Sequence, residues 1–167
     1  MTHSTIGLVH LITAATTLLI GLLIFLRPKG GRLHKMLGYA YSVSMLTMLV
    51  TALSIYQLTG SFNLLHGFAI LSTLQLSRGL YHAISRKPKG TWLDSHYIWI
   101  CGSYIGLCAA LVAESSARFI MPYLRDHLGF DSLGWFWVIV GIATFAVVSV
   151  GQSLVKRYRS KLTGHGR

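Results

Sequence analysis

The sequence predicts an all-α integral membrane protein with five transmembrane helices, its N-terminus outside and its C-terminus cytoplasmic. Three observations carry that expectation. Hydrophobic residues make up 53% of the 167 positions and charged residues only 11%, too little charge for an ordinary soluble domain. Five apolar runs have the roughly 20 residues that a helix needs to cross a ~30 Å hydrocarbon core. The basic residues gather in alternate loops between those runs, as positive-inside insertion requires.

The runs span about Thr5 to Leu26, Met36 to Leu58, Phe62 to Ile84, Tyr97 to Ala117 and Leu133 to Val155. Lipid offers backbone amides no partner, so each run must be a helix; the weak alternation and scarce turns argue against a barrel. The first run has no basic region before it and no small-residue cleavage site after it, and is expected to be retained rather than cleaved as a signal peptide. Arg27, Lys29, Arg32 and Lys35 follow it. The second run carries a hydroxylic stripe of Ser44, Thr47, Thr51 and Ser54, and the loop near Gly60 that ends it has no cation. Arg86, Lys87 and Lys89 lie between the third and fourth runs, and Arg125 is set against Asp126 and Asp131 before the fifth. Residues 156–167 form a basic tail with Lys156, Arg157, Arg159 and Lys161. Trp135 and Trp137 then fall at the outer interface, and Trp92 and Trp99 near the inner one.

A net charge of +11 would suit nucleic acid if position were ignored, but the cations' place at helix ends points to lipid instead. The expected partners are the bilayer, anionic lipids at the cytoplasmic face, and other membrane subunits or further copies of the chain. The expected location is the cell inner membrane, crossed several times. Cys101 and Cys108 share one helix at a spacing too long for a disulfide and read as packing residues.

The first four helices read as two related hairpins forming a bundle. Leu8-Val9-His10, Gly21-Leu22 and Pro28-Lys29-Gly30-Gly31-Arg32-Leu33 with His34 correspond to Leu64-Leu65-His66, Gly79-Leu80 and Pro88-Lys89-Gly90-Thr91-Trp92-Leu93 with His96. The stretch from histidine to proline is longer in the second copy by about one helical turn, which preserves facing. Parallel repeats place matched residues at matched depth.

Ionisable groups inside a bilayer are costly and mark functional sites. His10, His66 and Glu114 sit at similar depth near the outer surface, with Arg118 one turn beyond Glu114. His34, His82 and His96 gather at the inner surface, where solvation beside lipid headgroups is the plain structural reading. His96 and Glu114 share a face of the fourth helix, whereas His82 lies on a different face of the third helix from His66. His3, His127 and His165 read as solvated. Two pairs stand out, His10 with His66 and His34 with His96. Neutral imidazoles from separate helices are suitable axial ligands for haem iron.

The His34-x-x-x-Gly38-x-x-Tyr41 segment, the His66 helix, and His96 followed by Ser103-Tyr104 resemble an uncharacterised bacterial family of multi-span membrane proteins, over most of residues 5 to 117. That resemblance implies a multi-span membrane fold and no particular reaction. The four histidines on successive helices are also similar in arrangement to the transmembrane dihaem cytochromes b of the ascorbate-dependent type. This likeness implies haem b held by His10 with His66 and by His34 with His96, although that family usually has six helices and His34 sits at a loop edge.

Three functional readings follow. The first is a transmembrane electron carrier using haem b. The second is a metalloprotein holding zinc or iron through His10, His66 and Glu114, a two-histidine, one-carboxylate set open to the outer side. The third is an accessory subunit whose fifth helix offers Gly134, Gly141 and Gly151 to a partner.

Overall fold

The computed structural model describes residues 5–56, 60–129 and 133–164, apart from the side chains at 117, 118, 121, 128, 133, 136 and 160–164. His3, Asp131 and His165, and the side chains of Arg118 and Lys161, lie outside the described residues. Regular structure among the described residues is helical throughout: α1 (Thr5–Leu26), α2 (Arg32–Leu53), α3 (Leu64–Ser85), α4 (Trp92–Ser115), a π-helical turn (Ser116–Ile120), α5 (Met121–Leu128) and α6 (Leu133–Gly164).

α1 pairs with α2 and α3 with α4, α2 lies on α3, and α1 meets α4 to close a four-helix bundle. α6 packs against α4. The core is a cluster of Tyr41, Met45, Met48, Leu49, Ala69, Leu76 and Leu107. Large apolar side chains such as Leu19, Val43, Leu74, Ile142 and Phe145 point away from it and are exposed. Such a coat is costly in water and costs nothing in lipid.

Among the described residues, four helices are long and apolar enough to cross a membrane: α1, α2, α4 and the Trp137–Arg159 part of α6. α3 is as long as α1, 22 residues, but carries His66, Gln75, Arg78 and His82, and these polar groups keep it out of that set. It is held in the bundle by its packing on α2 and α4 rather than by hydropathy.

The helix ends depart from the apolar runs in both directions: α2 stops at Leu53 rather than Leu58 and α3 starts at Leu64 rather than Phe62, while two helices start early. α2 begins at Arg32 rather than Met36, and α4 at Trp92 rather than Tyr97. Long cationic and aromatic side chains reach the interface from inside a helix, so helicity extends beyond the apolar stretch. α6 runs to Gly164, so the described part of the basic tail, through 164, is helix. α5 is a short amphipathic helix that the hydropathy pattern did not reveal; its Pro122 sits in the first turn, where a missing N–H costs nothing.

The two hairpins match in backbone detail. Gly30 and Gly90, in the repeated Pro-Lys-Gly turns, take φ +87° and +92°, values that favour glycine. Gly21 and Gly79 both lie where a neighbouring helix approaches closely. The Tyr104 ring occupies the space a Cβ at Gly21 would need, and Ile100 Cδ1 would be 2.6 Å from one at Gly79.

Candidate functional site

The bundle holds two groups of partly buried ionisable residues, one at each end, with hydroxyls between them. The first lies where α1 and α3 begin and α4 ends. His10 Nδ1 donates to the Met48 carbonyl at 3.1 Å and shares that proton with the Thr51 hydroxyl oxygen, also at 3.1 Å. Thr51 in turn donates to the same carbonyl at 2.8 Å. A carbonyl only accepts, so the neutral ring carries its proton on Nδ1 and keeps a lone pair on Nε2. That nitrogen faces Oε2 of Glu114 across 3.9 Å. The π-helical turn begins two residues after Glu114, and such wide turns recur at functional sites.

His66 is nearby in sequence logic but different in chemistry. Asn63 opens α3 as its cap: its side chain accepts from the Leu65 amide at 2.9 Å, while its own amide donates to His66 Nδ1 at 3.3 Å. His66 thus plays the part that Glu or Gln takes in a reciprocal cap. Nδ1 being an acceptor, the neutral ring bears its proton on Nε2. That atom is buried without a hydrogen-bond partner, and the ring is packed against Tyr56 and Phe62 with centroids at 4.7 and 5.0 Å. In this tautomer Nε2 is a donor, whereas His10 presents a lone pair on the same nitrogen. The expected His10, His66 and Glu114 set is not assembled: among the described residues no three His, Cys, Asp or Glu side chains are grouped to hold a metal ion.

The middle of the bundle is polar in pairs. Thr17, fully buried, donates to Ser44 Oγ at 2.8 Å, and Ser44 reaches the Thr13 carbonyl at 3.1 Å. The Tyr41 hydroxyl lies 3.0 Å from Ser103 Oγ. Ser103 spends its proton on the Ile100 carbonyl at 2.8 Å, so Tyr41 is the donor of that pair. Tyr104 donates to the Leu18 carbonyl at 3.2 Å, linking α4 to α1. Gly21 makes room for both tyrosine rings.

At the opposite end, His96 Nδ1 donates to the Gly79 carbonyl at 2.8 Å, which leaves Nε2 with its lone pair. His34 lies within electrostatic reach of His96 and of Lys29. His82 Nδ1 donates to the Lys87 carbonyl at 2.6 Å and clamps the α3–α4 turn.

Sequence reasoning found the ionisable ends and passed over the tyrosines as functional groups. The signal was present, because a phenol in an apolar helix needs a buried hydrogen-bond partner. On α6, Gly151 is spent inside the chain against Ile105, whereas Gly141 has no atom near its absent side chain.

Comparison with known proteins gives a family and no reaction. No curated protein and no solved structure matches the chain, and the likeness to dihaem cytochromes b gains no support. A family model described as Predicted membrane protein (DUF2306) matches residues 7–155. The chain therefore belongs to this family of predicted membrane proteins.

Proposed function

We propose that the chain crosses the inner membrane five times with its N-terminus outside, and that it conducts protons between the His10–Glu114 pair and the His34–His96 pair. α3 completes the count of five, since a helix packed along both α2 and α4 shares their span. The loop cations support the orientation, with Arg86, Lys87 and Lys89 on the same side as Arg27, Lys29 and the α6 end. The observation that carries the reading is the geometry of His10. Its Nδ1 is committed to the Met48 carbonyl while Nε2 faces a carboxylate at 3.9 Å, an arrangement that takes up and releases a proton at one defined nitrogen. Thr17, Ser44, Tyr41, Ser103 and Tyr104 provide hydroxyls between the two ends, and water completes the hops.

Reconstitution tests this directly. Vesicles carrying the protein, a potassium gradient and valinomycin should take up protons faster than protein-free vesicles. Glu114→Gln should reduce the rate on the order of tenfold. Uptake by the wild type at the protein-free rate would refute the reading.

One observation favours a second reading. His96 has the orienting bond to a carbonyl that ligand histidines commonly make, and His34 lies within electrostatic reach of it, which supports haem b held by these two as a single axial pair. Haem there would supply one-electron chemistry on one side of the membrane. A Soret band in the purified protein, lost in His96→Ala, would support this reading over proton conduction alone.

A further inference from the structure

The turn between α3 and α4 forms an open surface cavity of about 810 Å³ whose lining includes Tyr81, His82, Arg86, Lys87, Lys89 and Trp92. Its position follows from α4, which is apolar enough to span and begins at Trp92; the turn is therefore at the membrane surface whichever way the chain is inserted and whether or not it conducts protons.

Local bonding builds this cavity. Arg86 ends α3 in the left-handed region at φ 53°, with its amide bonded to the His82 carbonyl at 3.0 Å. His82 holds the Lys87 carbonyl at 2.6 Å, and the amides of Thr91 and Trp92 both donate to the Pro88 carbonyl. The Arg86 guanidinium lies 6.0 Å from the Trp92 ring centre, within cation–π range. Arg86, Lys87 and Lys89 are exposed, and among the described residues none of them is bonded to a carboxylate. Aromatic walls below a cationic rim suit a ligand that is apolar at one end and anionic at the other.

We propose that this cavity binds one anionic phospholipid, its phosphate at Arg86 and Lys89 and the start of its acyl chains along Tyr81 and Trp92. The repeat supplies an internal comparison. In the matching α1–α2 turn, Lys29 is turned back onto the Phe25 carbonyl at 2.6 Å, and Arg32 stands where the second copy has Trp92. Similar charge there has neither the aromatic wall nor the same freedom of its lysine. A site built by geometry should separate the two turns, and simple surface charge should not.

Native mass spectrometry of the full chain in detergent, titrated with phosphatidylglycerol or phosphatidylcholine, tests the proposal. One phosphatidylglycerol should be retained in preference to phosphatidylcholine. The Arg86→Ala, Lys89→Ala double variant should bind it roughly thirtyfold more weakly, while Arg27→Ala, Lys29→Ala should leave binding within about twofold. Circular dichroism reports whether each variant keeps its helices, and Trp92→Leu supplies a charge-preserving variant that should also lose selectivity. Equal losses from the two double variants, or none from the first, would overturn the proposal. So would inorganic phosphate at millimolar concentration displacing the lipid completely, because the free anion would then be the ligand.

Discussion

His10 Nε2 and Glu114 Oε2 face each other across 3.9 Å at one end of the bundle, and the Met48 carbonyl fixes which nitrogen of His10 does so. Orientation here depends on a backbone carbonyl and the Thr51 hydroxyl, both on α2. Thr51→Val removes the hydroxyl at nearly constant volume. It should lower proton uptake by a few-fold without abolishing it, because the carbonyl bond remains. Proteoliposome flux compared with that of Glu114→Gln checks this.

His66 separates a structural role from a ligand role. Glutamine at the third helical position can accept the Asn63 amide as histidine does, so His66→Gln should keep most of the stability. His66→Ala should lose about 1 kcal/mol through the broken cap. Thermal unfolding in detergent gives the comparison. Loss of a visible absorption band in His66→Gln, with helix content retained, would instead mark the residue as a cofactor ligand.

Close approach at the repeat's glycines makes a paired prediction. Gly21→Ala drives a methyl into the Tyr104 ring, which is already packed at 5.0 Å against Phe25, and should destabilise by about 1–3 kcal/mol. Gly38→Ala is in open space on α2 and should be neutral or stabilising by about 0.5–1 kcal/mol. The difference between the two midpoints of thermal unfolding measures it.

The membrane class and bundle were readable because lipid punishes an unpaired backbone, which leaves long apolar runs as helices. The histidine pairs were readable in part for the same reason: a titratable group on an apolar helix faces inward. What periodicity cannot give is tautomer. His10 and His66 occupy matched places in the repeat, yet one ring donates from Nδ1 and the other accepts there, because His66 lies in the first turn of α3 against its cap Asn63 whereas His10 lies further inside α1. α3 also shows the limit of hydropathy, since its place between α2 and α4 depends on packing that no single segment encodes. The cap and the short α5 depend on local side-chain geometry and were likewise not legible in the apolar pattern.

The α6 end is pinned to the start of α4 by Arg159, whose guanidinium makes two bonds of 2.6 Å to Asp94. Asp94→Asn should free that end and speed amide exchange over residues 156–160, more at low ionic strength than at high, because salt already weakens the exposed pair. Hydrogen exchange with mass detection reads this segment directly. Protection unchanged by the substitution would show that α6 is held by its contacts on α4 alone.

Continuity of the polar column is the central claim, and Tyr41 is its midpoint, 2% exposed and bonded to Ser103 at 3.0 Å. Tyr41→Phe keeps the ring and removes only the hydroxyl, at a cost of about 1 kcal/mol or less in stability. The deciding measurement is valinomycin-driven proton uptake into vesicles carrying wild-type or Tyr41→Phe protein at equal density. The account predicts uptake well above protein-free vesicles for the wild type and a rate on the order of tenfold lower for the variant. A wild-type rate equal to that of empty vesicles, or a variant as fast as the wild type, would contradict it.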